Sequence, residues 1–152
     1  MAVADGPGAT LPVLTVLGLA TIEIWFAVPA GLALGVPPPV LWLATVAGSL
    51  LSVTVVAYAG DALRASLVRR RGGSVLAGRG RLYRIWVRYG VIGWGLASPL
   101  VFAPPMGTAI GLVLGAPRRR LVVWMAAGTI LWTTILVCGG VLGLDLVHLG
   151  LR

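Results

Sequence analysis

Glu23 is the only acidic or basic residue inside the long apolar stretches of this 152-residue chain. An acid in such a setting is costly when ionised, and inside a membrane it usually has a function. Desolvation favours the protonated acid unless a cation or a hydrogen-bond donor lies near it, which suits proton coupling or the binding of a cationic substrate. The alternative is a structural acid that hydrogen-bonds the backbone amides freed around Pro29.

Other residue types that carry chemistry occur singly. Cys138 is the only cysteine and His148 the only histidine, so one chain cannot build a disulfide or a cluster of cysteine and histidine metal ligands. A Ser-His-Asp triad would need His148, which lies just beyond the last apolar run. No phosphate-binding loop or dinucleotide fingerprint is present. The sequence therefore predicts a protein that is not an enzyme, with no catalytic residues, cofactor or metal.

Composition points to the lipid bilayer as the surrounding medium. Hydrophobic residues make up 59% of the chain and charged residues 11%, whereas a soluble domain carries about 25% charged residues. All 12 basic residues are arginine, and eight of them lie between Arg64 and Arg88. Arginine clusters between apolar runs are the positive-inside signal of a membrane protein, so the net charge of +8 does not indicate a nucleic-acid partner. We expect a multi-pass protein of a bacterial plasma membrane.

Four apolar blocks divide the chain. Two of them, about 40–60 and 121–143, are uninterrupted and hold enough residues for a spanning helix. The other two contain prolines, Pro29 in block 11–36 and Pro99, Pro104 and Pro105 in block 90–116. Proline lacks an amide donor and disrupts helices, so we expect these two blocks to be broken.

The polar connector 61–90 contains an amphipathic pattern. Leu82, Ile85, Trp86 and Tyr89 recur at helical spacing, while Arg81, Arg84 and Arg88 fall on another face. This pattern favours a helix at the membrane surface, with the start of a spanning helix as the alternative.

The second half of the chain repeats the first. Residues 31–60 align without gaps on residues 111–140, with 11 of 30 positions identical. The predicted organisation is a single membrane domain, 1–152, with repeat units at 11–60 and 91–143 joined by the connector 61–90. Gly31 and Gly35, like Gly111 and Gly115, have the spacing of small residues at a close helix contact.

Charge placement selects a topology for the two units. If every block crossed the membrane once, the connector and the triplet 118–120 would lie on opposite sides, against the positive-inside rule. Re-entrant hairpins in the two broken blocks place both arginine clusters in the cytoplasm and both termini outside. The predicted fold is therefore all-α, an inverted repeat of two units, each a re-entrant helical hairpin plus one transmembrane helix. We expect the hairpin tips at Pro29 and at Pro104 to Thr108, facing each other inside the protein.

Two segments resemble a known family. Residues 23–31, Glu-Ile-Trp-Phe-Ala-Val-Pro-Ala-Gly, resemble the Glu-Leu-Arg-Gly-Ala-Ile-Pro-x-Gly motif of the small multidrug export protein family. Residues 104–108 resemble its second Pro/Gly-rich motif, and the likeness extends over about residues 12–142. That family is similar to the DedA-like membrane proteins, which implies paired re-entrant loops and transport of a drug or a lipid. Trp25 stands where the family has arginine, so the Glu–Arg pair of the motif is absent.

These observations predict a substrate or proton site, an arginine surface and a function. The site residues are Glu23, Trp25, Pro29, Pro104, Pro105, Gly107 and Thr108. The arginines that anchor topology or bind lipid headgroups are Arg81, Arg84, Arg88, Arg118, Arg119 and Arg120. We expect a secondary transporter that exports small amphipathic or cationic molecules, coupled to protons through Glu23, in a homodimer or larger complex. The alternatives are a DedA-like lipid flippase or scramblase and a subunit of a membrane complex that transports nothing.

Overall fold

The computed structural model describes the backbone of residues 7–71 and 90–150 and the side chains of residues 10–60 and 90–144. These described ranges are helical and contain no strand, which confirms the all-α class. The helices are α1 (Pro7–Ile22), α2 (Ile24–Ala33), α3 (Pro38–Arg71), α4 (Val91–Val101), α5 (Pro104–Val113) and α6 (Arg118–Gly150). The amphipathic pattern at 81–89 lies outside the described residues.

Two of these helices are long and apolar enough to cross a membrane. The apolar segments are Pro38–Gly60 of α3 and Arg118–Leu144 of α6, with mean hydropathies of 2.1 and 2.0. They match the two uninterrupted blocks of the sequence. The remaining helices are short, and α2 and α5 have ten residues each.

The short helices fold back on each other in pairs. Only Glu23, in extended conformation, separates α1 from α2, and Val16 of α1 lies against Gly31 of α2. Phe102 and Ala103 separate α4 from α5. The indole nitrogen of Trp94 donates to the Gly107 carbonyl oxygen at 2.9 Å, which ties these two helices together. Each broken block is therefore a helical hairpin.

The first hairpin does not bend at its proline, contrary to what we expected from the sequence. Pro29 lies inside α2 and the chain turns at Glu23, so the tip predicted at Pro29 is wrong. Pro99 likewise lies inside α4. A single proline removes one helix hydrogen bond, and an apolar helix tolerates that loss when neighbouring groups compensate. Among the prolines of the two broken blocks, only Pro104 and Pro105 lie at a helix boundary, in the first turn of α5, where the missing amides have no helical partner anyway. The second bend is at Phe102 and Ala103, so the tip predicted at Pro104 to Thr108 lies inside α5.

The internal repeat recurs in the local structure. α2 and α5 begin and end at positions 80 residues apart, and so do the starts of α3 and α6. Gly35 and Gly115 have positive φ angles of 70° and 85°. The amide of Val36 donates to the Gly31 carbonyl and that of Ala116 to Gly111, at 2.9 and 3.0 Å, which completes the same C-terminal capping motif in both copies. Gly35 and Gly115 thus end helices, which corrects their predicted role as helix-packing glycines.

The chain divides into two compact units, named bundle 1 and bundle 2 below. Bundle 1 contains α1, α2, the part of α3 up to Leu51 and the part of α6 from Thr129. Bundle 2 contains α3 from Ser52, α4, α5 and α6 up to Gly128. Each bundle thus joins one hairpin to the start of the long helix that follows it and to a later part of the other long helix. The repeat units read from the sequence, 11–60 and 91–143, do not coincide with these bundles.

Apolar side chains fill each bundle and also cover its outside. The core of bundle 1 centres on Val16, Val28, Leu41 and Val137, and that of bundle 2 on Val53, Val91, Leu121 and Met125. Large apolar side chains are also exposed on the short helices, with Phe26 70% and Val113 75% accessible. An apolar exterior of this kind suits lipid better than water.

Candidate functional site

Glu23 occupies the bend between α1 and α2. Its φ and ψ are −154° and 122°, and it is the N-cap of α2 without a side-chain capping bond. Its amide donates to the Leu19 carbonyl at 2.8 Å, and its own carbonyl accepts from Ala27 at 3.3 Å. The amide and the carbonyl of Glu23 are therefore both paired at the bend.

One oxygen of the Glu23 carboxylate has no partner in the structure. Oxygen Oε1 is buried and has no hydrogen-bond partner. A buried acceptor without a partner is costly, so such a group normally meets a proton, a water or a ligand. The position at the start of α2 favours negative charge, because the N-terminus of a helix carries a partial positive charge. The alternative prediction was a structural acid that hydrogen-bonds the backbone amides around Pro29. Oε1 makes no such bond.

The other two site residues predicted on α2 lie at its surface. Trp25 is 38% exposed, and Pro29 is exposed and borders a groove of about 690 Å³ in bundle 1. This groove runs between α2 and the end of α6, and its walls are apolar side chains and glycines. Glu23 does not line it. The groove can hold an apolar chain but offers no charge to a ligand.

The predicted site residues of the second hairpin are packed and hydrogen-bonded. Pro104, Gly107 and Thr108 are buried and Pro105 is half-buried, all in bundle 2. The Thr108 hydroxyl donates to the Pro104 carbonyl at 2.8 Å, and the Gly107 carbonyl accepts from Trp94. A Cβ atom added at Gly107 would lie 2.6 Å from the Ser98 hydroxyl oxygen. The hydroxyl hydrogen that sequence reasoning assigned to a ligand at Thr108 is thus used within the helix.

A set of buried hydroxyl groups was missed by sequence reasoning. Thr45, Thr129 and Thr133 are completely buried, and their Oγ1 atoms have no hydrogen-bond partner. Each such group costs on the order of 1–3 kcal/mol. All three lie in bundle 1, as Glu23 does. The spacing of Thr129 and Thr133, four residues apart, was the signal in the sequence that they share a helix face.

The threonine pair that the repeat singles out behaves differently. Thr54 and Thr134 occupy equivalent positions of the two copies, and both are exposed. The Thr134 hydroxyl donates to the Ile130 carbonyl at 2.8 Å and accepts from the Trp42 indole at 2.9 Å. The bond between Trp42 and Thr134 connects the start of α3 to α6 in bundle 1.

The arginine triplet begins α6 in bundle 2. The Arg118 guanidinium lies over the Tyr58 ring, 4.4 Å from its centroid, a cation–π contact. Arg119 and Arg120 are exposed. The other predicted headgroup or anchor residues, Arg81, Arg84 and Arg88, lie outside the described part of the chain.

The structure thus places the predicted site residues in different bundles: Glu23, Trp25 and Pro29 in bundle 1, and Pro104, Pro105, Gly107 and Thr108 in bundle 2. Glu23 alone of the seven combines partial burial with an unpartnered polar atom. No family model, curated protein or solved structure matches the chain.

Proposed function

We propose that this protein is a small secondary transporter that exports small amphipathic or cationic molecules across a bacterial plasma membrane, coupled to protons through Glu23. The observation that carries the proposal is the buried, unpartnered Oε1 of an acid placed at a helix break. Broken helices in corresponding halves of a repeat are the usual place of substrate and ion sites in transporters. The resemblance of residues 23–31 to the small multidrug export motif supports the same function.

The lengths and pairings of the helices support the re-entrant, inverted topology that the proposal includes. Ten residues, as in α2 and α5, make about 15 Å of helix, half of a hydrocarbon core about 30 Å thick. In each bundle the early part of one long helix is grouped with the late part of the other, as expected for antiparallel neighbours. Because two spanning helices are few to enclose a hydrated site, the proposal includes a homodimer or a larger complex.

Substitution of Glu23 by glutamine tests the coupling. We expect Glu23→Gln to reduce pH-gradient-driven transport of a cationic dye such as ethidium by about tenfold or more, because the amide cannot exchange a proton. Glu23→Asp keeps the charge on a shorter side chain and should weaken transport less. The measurement is dye flux into proteoliposomes with an imposed pH gradient.

The repeat supplies the matched control. Ala103 precedes α5 as Glu23 precedes α2, so Ala103→Gln places the same amide at the other bend without removing an acid. We expect this variant to transport at the wild-type rate. Wild-type flux in Glu23→Gln would show that Glu23 is structural and that the coupling is wrong.

A lipid substrate is the second candidate, and two observations favour it. The groove of about 690 Å³ in bundle 1 has the apolar walls that an acyl chain requires. Arg119 and Arg120 are exposed, so they can contact a headgroup phosphate without the cost of burying a charge. Translocation of a fluorescent phospholipid in the same proteoliposomes distinguishes it. Lipid movement without proton flux supports the flippase, and no movement of dye or lipid supports a subunit that transports nothing.

A further inference from the structure

Two residues that are distant in the sequence meet in bundle 2 where the apolar segments of the long helices end. The Arg118 guanidinium lies over the Tyr58 ring, 4.4 Å from its centroid. Tyr58 lies in the last turn of the apolar segment Pro38–Gly60, and Arg118 is the first residue of the segment Arg118–Leu144. Tyrosine and arginine at the ends of apolar helices are typical of the boundary between bilayer and water. In the proposed topology this contact lies at the cytoplasmic boundary.

The surface around this contact carries positive charge without matching negative charge. Two residues of the arginine triplet, Arg119 and Arg120, are exposed, and the first turn of α6 contains no acid. None of the described side chains of bundle 2 is a carboxylate. Residues 58–120 of the sequence contain eleven arginines and only one acid, Asp61, which cannot neutralise them. The partial positive charge of the helix start adds to this excess.

Apolar surface adjoins the charge. Val123 lies three and four residues beyond Arg120 and Arg119, which places it on their side of α6, one turn deeper in the apolar segment. Its side chain is 63% exposed. A partner that combines a negative group with an apolar chain therefore matches this surface better than a free anion does.

We propose that the arginine triplet and Tyr58 bind the phosphate of an anionic phospholipid, which is held at this surface and is not carried across the membrane. Guanidinium groups bind phosphate oxygens through paired hydrogen bonds. The Tyr58 ring orients the Arg118 guanidinium through the cation–π contact. The exposed apolar side of α6 at Val123 receives an acyl chain.

This site goes beyond the proposed function, because it needs no transport. It is also compatible with a role of the same arginines in orientation. Positive charge keeps a segment on the cytoplasmic side during insertion, and in the folded protein it attracts the anionic lipids of that leaflet.

The test is the thermal stability of the purified full-length protein in detergent micelles to which lipid is added. We expect phosphatidylglycerol to raise Tm in a saturable way relative to the same amount of zwitterionic phosphatidylcholine, because the lipid binds the folded state. Serine at both Arg119 and Arg120 should weaken the apparent affinity by about tenfold or more, since two charged contacts are lost. Lysine at both positions keeps the charge without the paired donors and should weaken it less. Arg152→Ser, which removes an arginine at the C-terminus, should leave it unchanged.

Substitution of Tyr58 tests its positioning role. Tyr58→Phe keeps the aromatic ring and should bind phosphatidylglycerol as the wild type does. Tyr58→Leu removes the cation–π contact and should weaken the affinity about threefold. Tyr58 is 62% exposed, so both variants remain foldable.

Three results would overturn the site. The first is equal Tm in the two lipids, and the second is an undiminished phosphatidylglycerol effect in the double serine variant, which would assign the lipid to other arginines. The third is an equal rise in Tm with sodium phosphate alone, which would mean a general anion site. Because binding is measured without transport, a lipid effect with no dye flux refutes the transporter alone, and flux with no lipid effect refutes this site alone.

Discussion

At the scale of single residues, the sequence identified Glu23 as a candidate site residue, and the structure added the conformation and contacts around it. Its solitary charge inside an apolar block singled it out, since no other acid or base lies in these blocks. The extended backbone at Glu23 and the unpartnered Oε1 could not be read from that pattern. A bend at one residue depends on what both flanking helices pack against, and Pro29, the residue with the stronger local effect, is accommodated within α2.

Substitution of the two glycines that cap helices, Gly35 and Gly115, tests their role at the same scale. Gly35→Ala and Gly115→Ala should each lower the free energy of unfolding by about 1–2 kcal/mol, because a Cβ atom clashes with the backbone at positive φ. The matched control is Gly18→Ala, where a Cβ atom meets nothing within 4 Å inside α1. This control should be neutral or stabilising, since alanine favours helix. Unfolding in a denaturing detergent, followed by tryptophan fluorescence, measures all three, and wild-type stability of Gly35→Ala would contradict the capping role.

At the scale of elements, the two long helices start differently although they belong to equivalent copies. α3 begins at Pro38 and follows Pro37, whereas α6 begins with Arg118, Arg119 and Arg120. Both starts follow the same Schellman-type cap, so the local structure is conserved between the copies while the charge is not. The arginines at the start of α6 are therefore not required by the backbone geometry. We expect this charge to determine the orientation of the protein in the membrane instead.

Replacement of the arginine triplet tests this role. Changing Arg118, Arg119 and Arg120 together to serine should yield molecules in mixed orientations, because the positive-inside signal of this segment is lost. The triple lysine variant keeps the charge and should insert as the wild type does. Accessibility of cysteines introduced at the termini measures orientation. Normal insertion of the serine variant with loss of lipid translocation would instead assign the triplet to headgroup binding, for which arginine offers paired donors that lysine lacks.

At the scale of the whole molecule, the exposed apolar side chains are compatible with a location in a bilayer. Two helices are long enough to span it, and the hairpin helices α2 and α5 are half that length. In the proposed topology both hairpins are re-entrant, and the chain crosses the membrane twice. An even number of crossings returns the chain to the side from which it started.

The corresponding prediction concerns the termini. Both should lie outside the cytoplasm, with the connector 61–90 and residues 117–120 inside, because that arrangement alone places both arginine clusters on the cytoplasmic side. Alkaline phosphatase fused to either terminus should be active, and green fluorescent protein fused there should be dark. A cytoplasmic N-terminus with an external C-terminus would refute the two re-entrant hairpins.

Properties that depend on short stretches of chain were accessible from the sequence. The helical class, the two long apolar helices, the repeat at an offset of 80 residues and the break within block 90–116 follow from composition, length and proline chemistry. Tertiary structure decided where α1 ends, how α3 and α6 divide between two bundles, and that Thr45, Thr129 and Thr133 face inward without partners. In an apolar helix the same hydroxyl can bond its own backbone or turn to a neighbour, and only the packing of distant segments selects between these states.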